Sequence, residues 1–260
     1  MLLDLITPLI LAFNEAPNIV RSLAKLRWAK QIIVIDSGST DATLSLLSAY
    51  SQVRIIYRPF DSFARQCNFG LSQIKTPWVL SLDADYVLSD GFVDEVKALS
   101  NNETICAYRT QFRYCIKGHP LRSTLYPPRT VLFRRNKAYY YDSGHGHRVE
   151  IAGTIVNLKS KIYHDDRKPL NRWLDSQRTY AQQEADHLLA LDSVGRSWPD
   201  RLRLAIWPAA PAVFLYTLLI KCCVLDGWPG WYYALQRTYA ELILSLELLE
   251  RRLRDVKSNH

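Results

Sequence analysis

Cysteine is sparse and its spacing carries no pairing signal: Cys67, Cys106, Cys115, Cys222 and Cys223 make five, an odd number with no Cys-x-x-Cys run. Neither a zinc site nor a disulfide framework is indicated, and reduced thiols of a cytoplasmic setting are expected. No G-x-G-x-x-G follows the first apolar run and no Walker A sequence occurs. Those absences remove the backbone cradle by which dinucleotide binders and P-loop enzymes hold phosphate at a helix N-terminus. The formal net charge is +8, yet the basic residues are spread along the chain without a recognition helix, zinc finger or aromatic-basic RNA motif, so no nucleic-acid partner is expected. The opening Met1-Leu2-Leu3-Asp4-Leu5 lacks a basic n-region and a small-residue cleavage site, and export is not expected.

What is present is a core: 260 residues, 48% of them hydrophobic, can bury a substantial interior. One unit repeats through the first 82 residues, an apolar strand, a polar turn and an amphipathic helix, which predicts a parallel α/β sheet. Strands are expected over 8–12, 31–35, 53–57 and 78–82. The helices between them carry Ile19, Val20, Leu23 and Leu26, then Leu44, Leu46 and Leu47, then residues 63–73. Gly38 permits a tight turn after the second strand, and Ser39, Thr40 or Asp41 can cap the helix that follows.

Trp78-Val79-Leu80-Ser81-Leu82 runs at once into Asp83-Ala84-Asp85. Side chains alternate along an extended chain, so both carboxylates can reach one hard cation or the diphosphate it carries. In open sheets ligands gather at the carboxyl ends of strands, and Glu15, Asp36, Asp83 and Asp85 all fall at such ends. Taken singly, Asp36 is equally a turn former or N-cap, Glu15 a first-turn acid favoured by the helix dipole, and Asp-x-Asp a solvated turn. Capping does not require every acidic strand end to fall on one rim.

These motifs, in this order, resemble the family 2 glycosyltransferases of the GT-A fold over about the first 100 residues. Ala12-Phe13-Asn14-Glu15 is similar to the family's first nucleotide-contacting loop, Asp36-Ser37-Gly38-Ser39-Thr40-Asp41 to its base and ribose loop, and Leu82-Asp83-Ala84-Asp85 to its metal-binding Asp-x-Asp. The resemblance implies that Asp36 accepts a hydrogen bond from the nucleobase, and that Asp83 and Asp85, with Ala84 between them, address the ribose and the metal-bound diphosphate. Arg65 and Asn68 stand where the family has Arg-Asn or Lys-x-x-Asn, the Arg being offset. The implied cofactor is a divalent metal, Mg²⁺ or Mn²⁺, and the implied donor a nucleotide-diphosphate sugar.

The second half is expected to supply the acceptor side. Tyr141 to Glu150 resembles a bacterial branch that includes lipopolysaccharide core glycosyltransferases, in which a His-Glu-Arg-Val run supplies the general base. His147 stands where that Glu would be, and a neutral imidazole can accept a proton. Glu150 and Asp142 are the reserves, and His145 belongs to the same cluster. His164 matches a C-terminal His that supplies a last metal ligand, and imidazole suits Mn²⁺; as a bland alternative it is structural, with Asp165 capping the next helix. Tyr126-Pro127-Pro128-Arg129 resembles the family's Tyr-Pro-Asp segment, with Pro128 in place of Asp.

Beyond residue 167 the character changes. The expected division is a GT-A catalytic domain over 1–167, a Rossmann-like mixed sheet, and a helical extension over 168–260, with helices at 172–191, 201–225 and 231–253. The apolar stretch 204–220 is interrupted by Pro208 and Pro211, which favours a segment on the bilayer surface over a spanning one. Trp207, Tyr216, Trp228, Trp231, Tyr232 and Tyr233 suit the headgroup boundary, and Arg201, Arg203, Lys221, Arg251, Arg252 and Arg254 can meet anionic lipid. Packing on the catalytic domain or on a second subunit is the alternative. The sequence therefore predicts a metal-dependent, inverting glycosyltransferase at the cytoplasmic face of the cell membrane, acting on a glycan or glycolipid of the cell envelope. A nucleotidyltransferase and a non-catalytic nucleotide-sugar-binding scaffold are the rivals.

Overall fold

Largely apolar runs form the middle of the sheet. The computed structural model describes residues 2–143, 146–192 and 196–258. Its first part alternates β1 (Ile6–Ala12), α1 (Ile19–Ala24), β2 (Ile32–Asp36), α2 (Thr43–Ser48), β3 (Val53–Tyr57), α3 (Phe63–Ser72) and β4 (Trp78–Asp83). β1 lies parallel to both β2 and β4, and β2 to β3. Every residue of β2 is buried, the pattern of a strand covered on both faces. Leu9, Ile33, Ile35 and Val79 face one layer, while Ile10, Val34 and Leu80 face the other with Ile19 and Leu23. A Cβ on Gly70 would lie 2.5 Å from Leu9 Cδ1, so the bare glycine lets α3 sit close on β1.

The elements that follow are β5 (Tyr86–Leu88), α4 (Phe92–Ala98), β6 (Ile105–Thr110), β7 (Phe112–Ile116), β8 (His119–Pro120), β9 (Arg129–Arg134), β10 (Ala138–Ser143), β11 (Gly146–Ile151), β12 (Thr154–Asn157) and β13 (Ile162–His164). The seven-stranded sheet has the order β12-β6-β9-β4-β1-β2-β3. It is mixed, because β9 runs antiparallel to both β4 and β6. That reversal places the first residue of β9, Arg129, at the rim where β4 ends in Asp83. A smaller sheet, β5-β13-β7-β8, sets His164 opposite Tyr86, and β10 and β11 form a hairpin.

Two local expectations need correction. Leu26 is buried in the core but lies past the end of α1 at Ala24. The residue before α2 is Ala42, which offers no side-chain cap. Asp41 serves the same end from one position earlier, accepting the Thr43 N–H at 2.9 Å.

The chain divides into two compact units, one of residues 1–120 and 126–168, the other of residues 121–125 and 169–260. The second is helical, with α5 (Leu170–Ala190), α6 (Trp198–Leu204), α7 (Ala209–Leu215) and α8 (Trp228–Ser258). Ala181, Ala185 and Leu188 of α5 pack with Leu204, Ile206, Leu244 and Leu248. Arg203 is held between Glu241 at 2.8 Å and Glu184 at 3.1 Å. The single helix expected over 201–225 is instead broken into α6, α7, a π-helical turn at Tyr216–Ile220 and a 3₁₀ turn at Cys223–Asp226. Ile206 and Cys222 adopt left-handed backbone, φ 68° and 55°, and Pro208, unable to donate to a preceding turn, starts α7. Among the described residues no helix is long and apolar enough to cross a membrane.

Gly230, in the first turn of α8, is fixed by a neighbour. An added Cβ would stand 1.7 Å from the Cys223 carbonyl oxygen, a backbone atom that cannot swing aside. Gly230→Ala is expected to lower unfolding free energy by about 2 kcal/mol, read by urea denaturation followed by circular dichroism. An unchanged midpoint would contradict this packing.

Candidate active site

The first two motif loops are stitched together by their own polar side chains. Asn14 takes left-handed backbone, φ 54°, which Asn tolerates better than most residues. Its side-chain oxygen accepts the Thr40 N–H at 2.7 Å and the Asp41 N–H at 3.2 Å, and its own N–H is donated to Ser39 Oγ at 2.8 Å. The Glu15 N–H is donated to Thr43 Oγ1 at 2.7 Å. Asp36 is buried and accepts the N–H groups of Gly38 and Ser39 at 2.8 and 2.9 Å, with the Ser39 hydroxyl on its other oxygen. Its carboxylate therefore shapes the turn whose backbone faces the rim. Ala12 is buried at the end of β1, and its carbonyl accepts the Ser37 N–H at 3.0 Å.

The remaining rim carboxylates are matched by cations from later in the chain. Burial alone would raise the Asp83 carboxyl, but Arg129, His147, Tyr86 and His164 around it outweigh burial and hold it below the usual range. Arg129 lies with its guanidinium 5.0 Å from the Tyr126 ring centre. Although burial opposes its charge, its surroundings of Tyr86, Tyr126 and Asp83 hold its pKa above the usual value. Glu15 is paired with Lys168 Nζ at 2.6 Å and with Asn18 Nδ2 at 2.8 Å. Burial nevertheless pushes its carboxyl up to about 7, Lys168 opposing and the neighbouring Asp85 adding to the rise. Lys168 is raised as well, its own burial outweighed by Glu15, Asp166 and Asp85.

His164 lies in a box of aromatic rings, with centres 4.6 Å from Tyr126, 4.7 Å from Tyr114 and 5.4 Å from Tyr86. Its Nε2 is 3.1 Å from Asp85 Oδ2. Burial disfavours the imidazolium, but Asp85 prevails and raises the pKa. Asp165, beside it, does not cap the following helix, whose N-cap is Pro169. It anchors Arg21 at 2.6 Å, Arg167 at 2.9 Å and the Gly118 N–H at 2.9 Å.

Of the expected metal ligands, Asp85 and His164 are brought together, while Asp83 faces Arg129 and Tyr86. Among the described residues no set of three His, Cys, Asp or Glu side chains stands ready to hold an ion. The donor chemistry fits a divalent cation all the same. Asp85 Oδ1 and His164 Nδ1 are buried without hydrogen-bond partners, and carboxylate and imidazole are ligands that Mn²⁺ accepts. Ala84, buried between the two acids, accepts the Ser22 hydroxyl on its carbonyl at 2.7 Å, which fixes the turn.

The β10–β11 hairpin carries the candidate base. His147 is half-buried, with Val149 and Ile151 on the same side of β11, while Arg148 and Glu150 face outward. Its ring stacks obliquely near Phe63 at 5.6 Å and Tyr140 at 5.4 Å. Burial lowers its pKa from the ordinary 6.5, with Asp83 opposing, so the imidazole is neutral near pH 7. Glu150, three residues on, is exposed on the opposite face and is not brought to the rim. Asp142, opposite His147 in the hairpin, accepts the Ala64 N–H at 3.1 Å and the Ser62 hydroxyl at 2.8 Å, which ties the hairpin to the start of α3. His145 lies outside the described residues. Asn68 holds the Tyr140 backbone at both ends, donating to its carbonyl at 2.8 Å and accepting its N–H at 3.0 Å. Arg65 is exposed on α3, 4.0 Å from Asp61.

Residues 9–162 match the model of the family described as Glycosyl transferase family 2. The chain belongs to this family. The lipopolysaccharide core biosynthesis glycosyltransferase LpsC of Rhizobium meliloti (strain 1021) is 30% identical over 132 residues, 49% of this chain and 47% of LpsC. The chain thus spans about half the length of that relative. An uncharacterized glycosyltransferase of Rickettsia bellii (strain RML369-C) is 24% identical over 95% of this chain and 88% of its own length. Among solved structures, S. aureus TarS (residues 1–349) in complex with UDP-GlcNAc has 14% identity and a TM-score of 0.47, covering 94% of this chain and 91% of that one. The family's mixed GT-A sheet is the one expected from the motifs.

Sequence reasoning assigned no role to Arg129, Tyr86, Tyr126 or Lys168. Arg129 was legible in principle, since an antiparallel strand beginning at that residue must start at the carboxyl end of its neighbour. Lys168 follows the last strand, where the composition turns helical, and no motif marks it. Because Asn68 is the clamp on the hairpin bearing His147, Asn68→Ala is expected to cost about 2 kcal/mol, measured by urea unfolding. Thermal and denaturant midpoints equal to those of the unaltered chain would exclude the clamp.

Proposed function

We propose that the chain transfers a sugar, with inversion, from a nucleotide-diphosphate donor to a hydroxyl of a membrane-associated glycan or glycolipid in lipopolysaccharide or related cell-envelope synthesis. The observation that carries this reading is the joining of Asp83, Arg129 and a neutral His147 at the strand-end rim, next to the Asp85–His164 pair. The loop built on Asn14 and Asp36 would present the nucleoside site. Asp85 and His164 would hold a divalent metal, which when bound would neutralise charge on the departing diphosphate. His147 accepts the proton of the acceptor hydroxyl. The freed oxygen attacks the anomeric carbon, and the bond to the diphosphate breaks with its electron pair leaving on the nucleotide. Arg129, charged throughout, holds Asp83 ionised while this occurs.

The acceptor class rests on the similarity to LpsC, a lipopolysaccharide core biosynthesis glycosyltransferase, and on the helical unit. Trp207 is 78% exposed and Ile220 70% exposed, with Leu215, Tyr216, Leu219 and Leu225 also exposed nearby in sequence and Lys221 over the Tyr216 ring. That stretch, aromatic and apolar with a cation at its edge, suits the headgroup boundary of the inner face of the cell membrane.

The test is transfer itself. Purified protein is incubated with Mn²⁺, UDP- or GDP-sugars and lipopolysaccharide core acceptors, and the products are read by mass spectrometry. A glycosylated acceptor and free nucleoside diphosphate are expected, and release of pyrophosphate would mark a nucleotidyltransferase instead. His147→Ala should lower kcat about 100-fold. Since the unprotonated imidazole is the active form, kcat should fall as pH drops through a value below 6.5, and that acid limb should vanish in the variant. Full turnover by His147→Ala would remove His147 from the mechanism.

A further inference from the structure

α8 has two apolar faces; the fold covers one, and meets the other only near its start, where Trp231 lies 6.2 Å from the Phe214 ring. Tyr233, Ala234, Leu244 and Leu248 are buried. On the opposite side, at 100° per residue, Trp228, Trp231, Leu235, Leu242, Leu246 and Leu253 fall in an arc roughly 60° wide. All six are between 44% and 66% exposed. The outward side of a surface helix ordinarily carries the polar residues, so this stripe is the reverse of what solvent exposure selects.

The spacing identifies what such a stripe fits. From Trp228 to Leu253 the apolar residues recur at intervals of four and three in strict alternation, Tyr232, Tyr239 and Leu249 filling the positions between the exposed ones. This is the seam of a coiled coil sustained for more than three heptads. One edge is already engaged: Trp173 of α5 lies 5.8 Å from the Tyr239 ring, and Leu249 packs on the inner cluster. The flanking charges are paired inside the unit, Arg251 with Glu247 at 2.9 Å and with Asp186, and Arg254 with Glu250. Among the described residues no basic surplus borders the stripe as a helix lying on anionic lipid would have. Covering the six exposed side chains would bury on the order of 700 Å² per copy, and twice that exceeds the ~1,000 Å² of a specific interface.

We propose that the outward face of α8 is a self-association seam, packing against α8 of a second copy of this chain. The experiment is sedimentation equilibrium of the full chain from 1 to 100 µM as an order-of-magnitude range, beside Leu242→Gln/Leu246→Gln, the single Leu246→Gln and Trp207→Ala. The unaltered chain should sediment at twice its 30.0 kDa. The double variant should weaken the dimer at least tenfold while keeping its circular dichroism and melting temperature. Trp207→Ala, outside the seam, should leave the mass unchanged. Leu246 is mostly in solvent, so its single variant retains the fold and should still weaken association. A monomer at all concentrations would overturn the proposal, as would a folded double variant that remains dimeric. So would a monomeric chain that floats with anionic vesicles and loses flotation in the double variant.

Discussion

Carboxylates gathered at the ends of buried strands repel one another and resist desolvation unless cations stand beside them. That constraint organises the first unit. Asp83 comes from β4 and its cation Arg129 from β9. Glu15 follows β1 and its partner Lys168 follows β13. Asp85 meets His164 at the end of β13. In each case the acid belongs to the first 85 residues and the counter-charge to residues 129–168. The rim is therefore complete only when the antiparallel strand β9 has inserted beside β4 and the small sheet has folded back. Folding and site assembly are the same event here, because an acidic rim without its cations would be electrostatically unfavourable.

The hairpin that holds His147 follows the same logic through neutral groups. Asn68 and Asp142 join it to α3, and Gly70 keeps α3 close on β1. The imidazole is thereby placed near Asp83 by side chains that hold the hairpin rather than the ring. Asn68, which the motif resemblance associates with the donor, is engaged by the Tyr140 backbone.

Local pattern was enough to read the parallel half: continuous apolar runs with helices between them have few alternatives, and strand ends follow from where the apolar runs stop. The acids at those ends were legible for the same reason. The cations were not, since Arg129 and Lys168 acquire their meaning from an antiparallel insertion and a return strand separated by tens of residues. Glu150 shows the limit of reading a site by proximity in sequence. It is three residues from His147, and the two-residue period of a strand turns it to the other face. In the tail, composition indicated helices and exposed aromatics, but the left-handed residues Ile206 and Cys222 that break the apolar stretch carry no local signal of their own.

The most direct test of the rim is calorimetric titration of UDP and GDP into the purified protein with Mn²⁺, with Mg²⁺ and with EDTA, repeated on a folded Asp85→Ala variant. Binding of one nucleotide that requires the metal and is lost in the variant is the predicted result. Equal binding in EDTA and in Asp85→Ala would contradict a diphosphate held through a metal at Asp85 and His164, and absence of binding under every condition would contradict the nucleotide-sugar site itself.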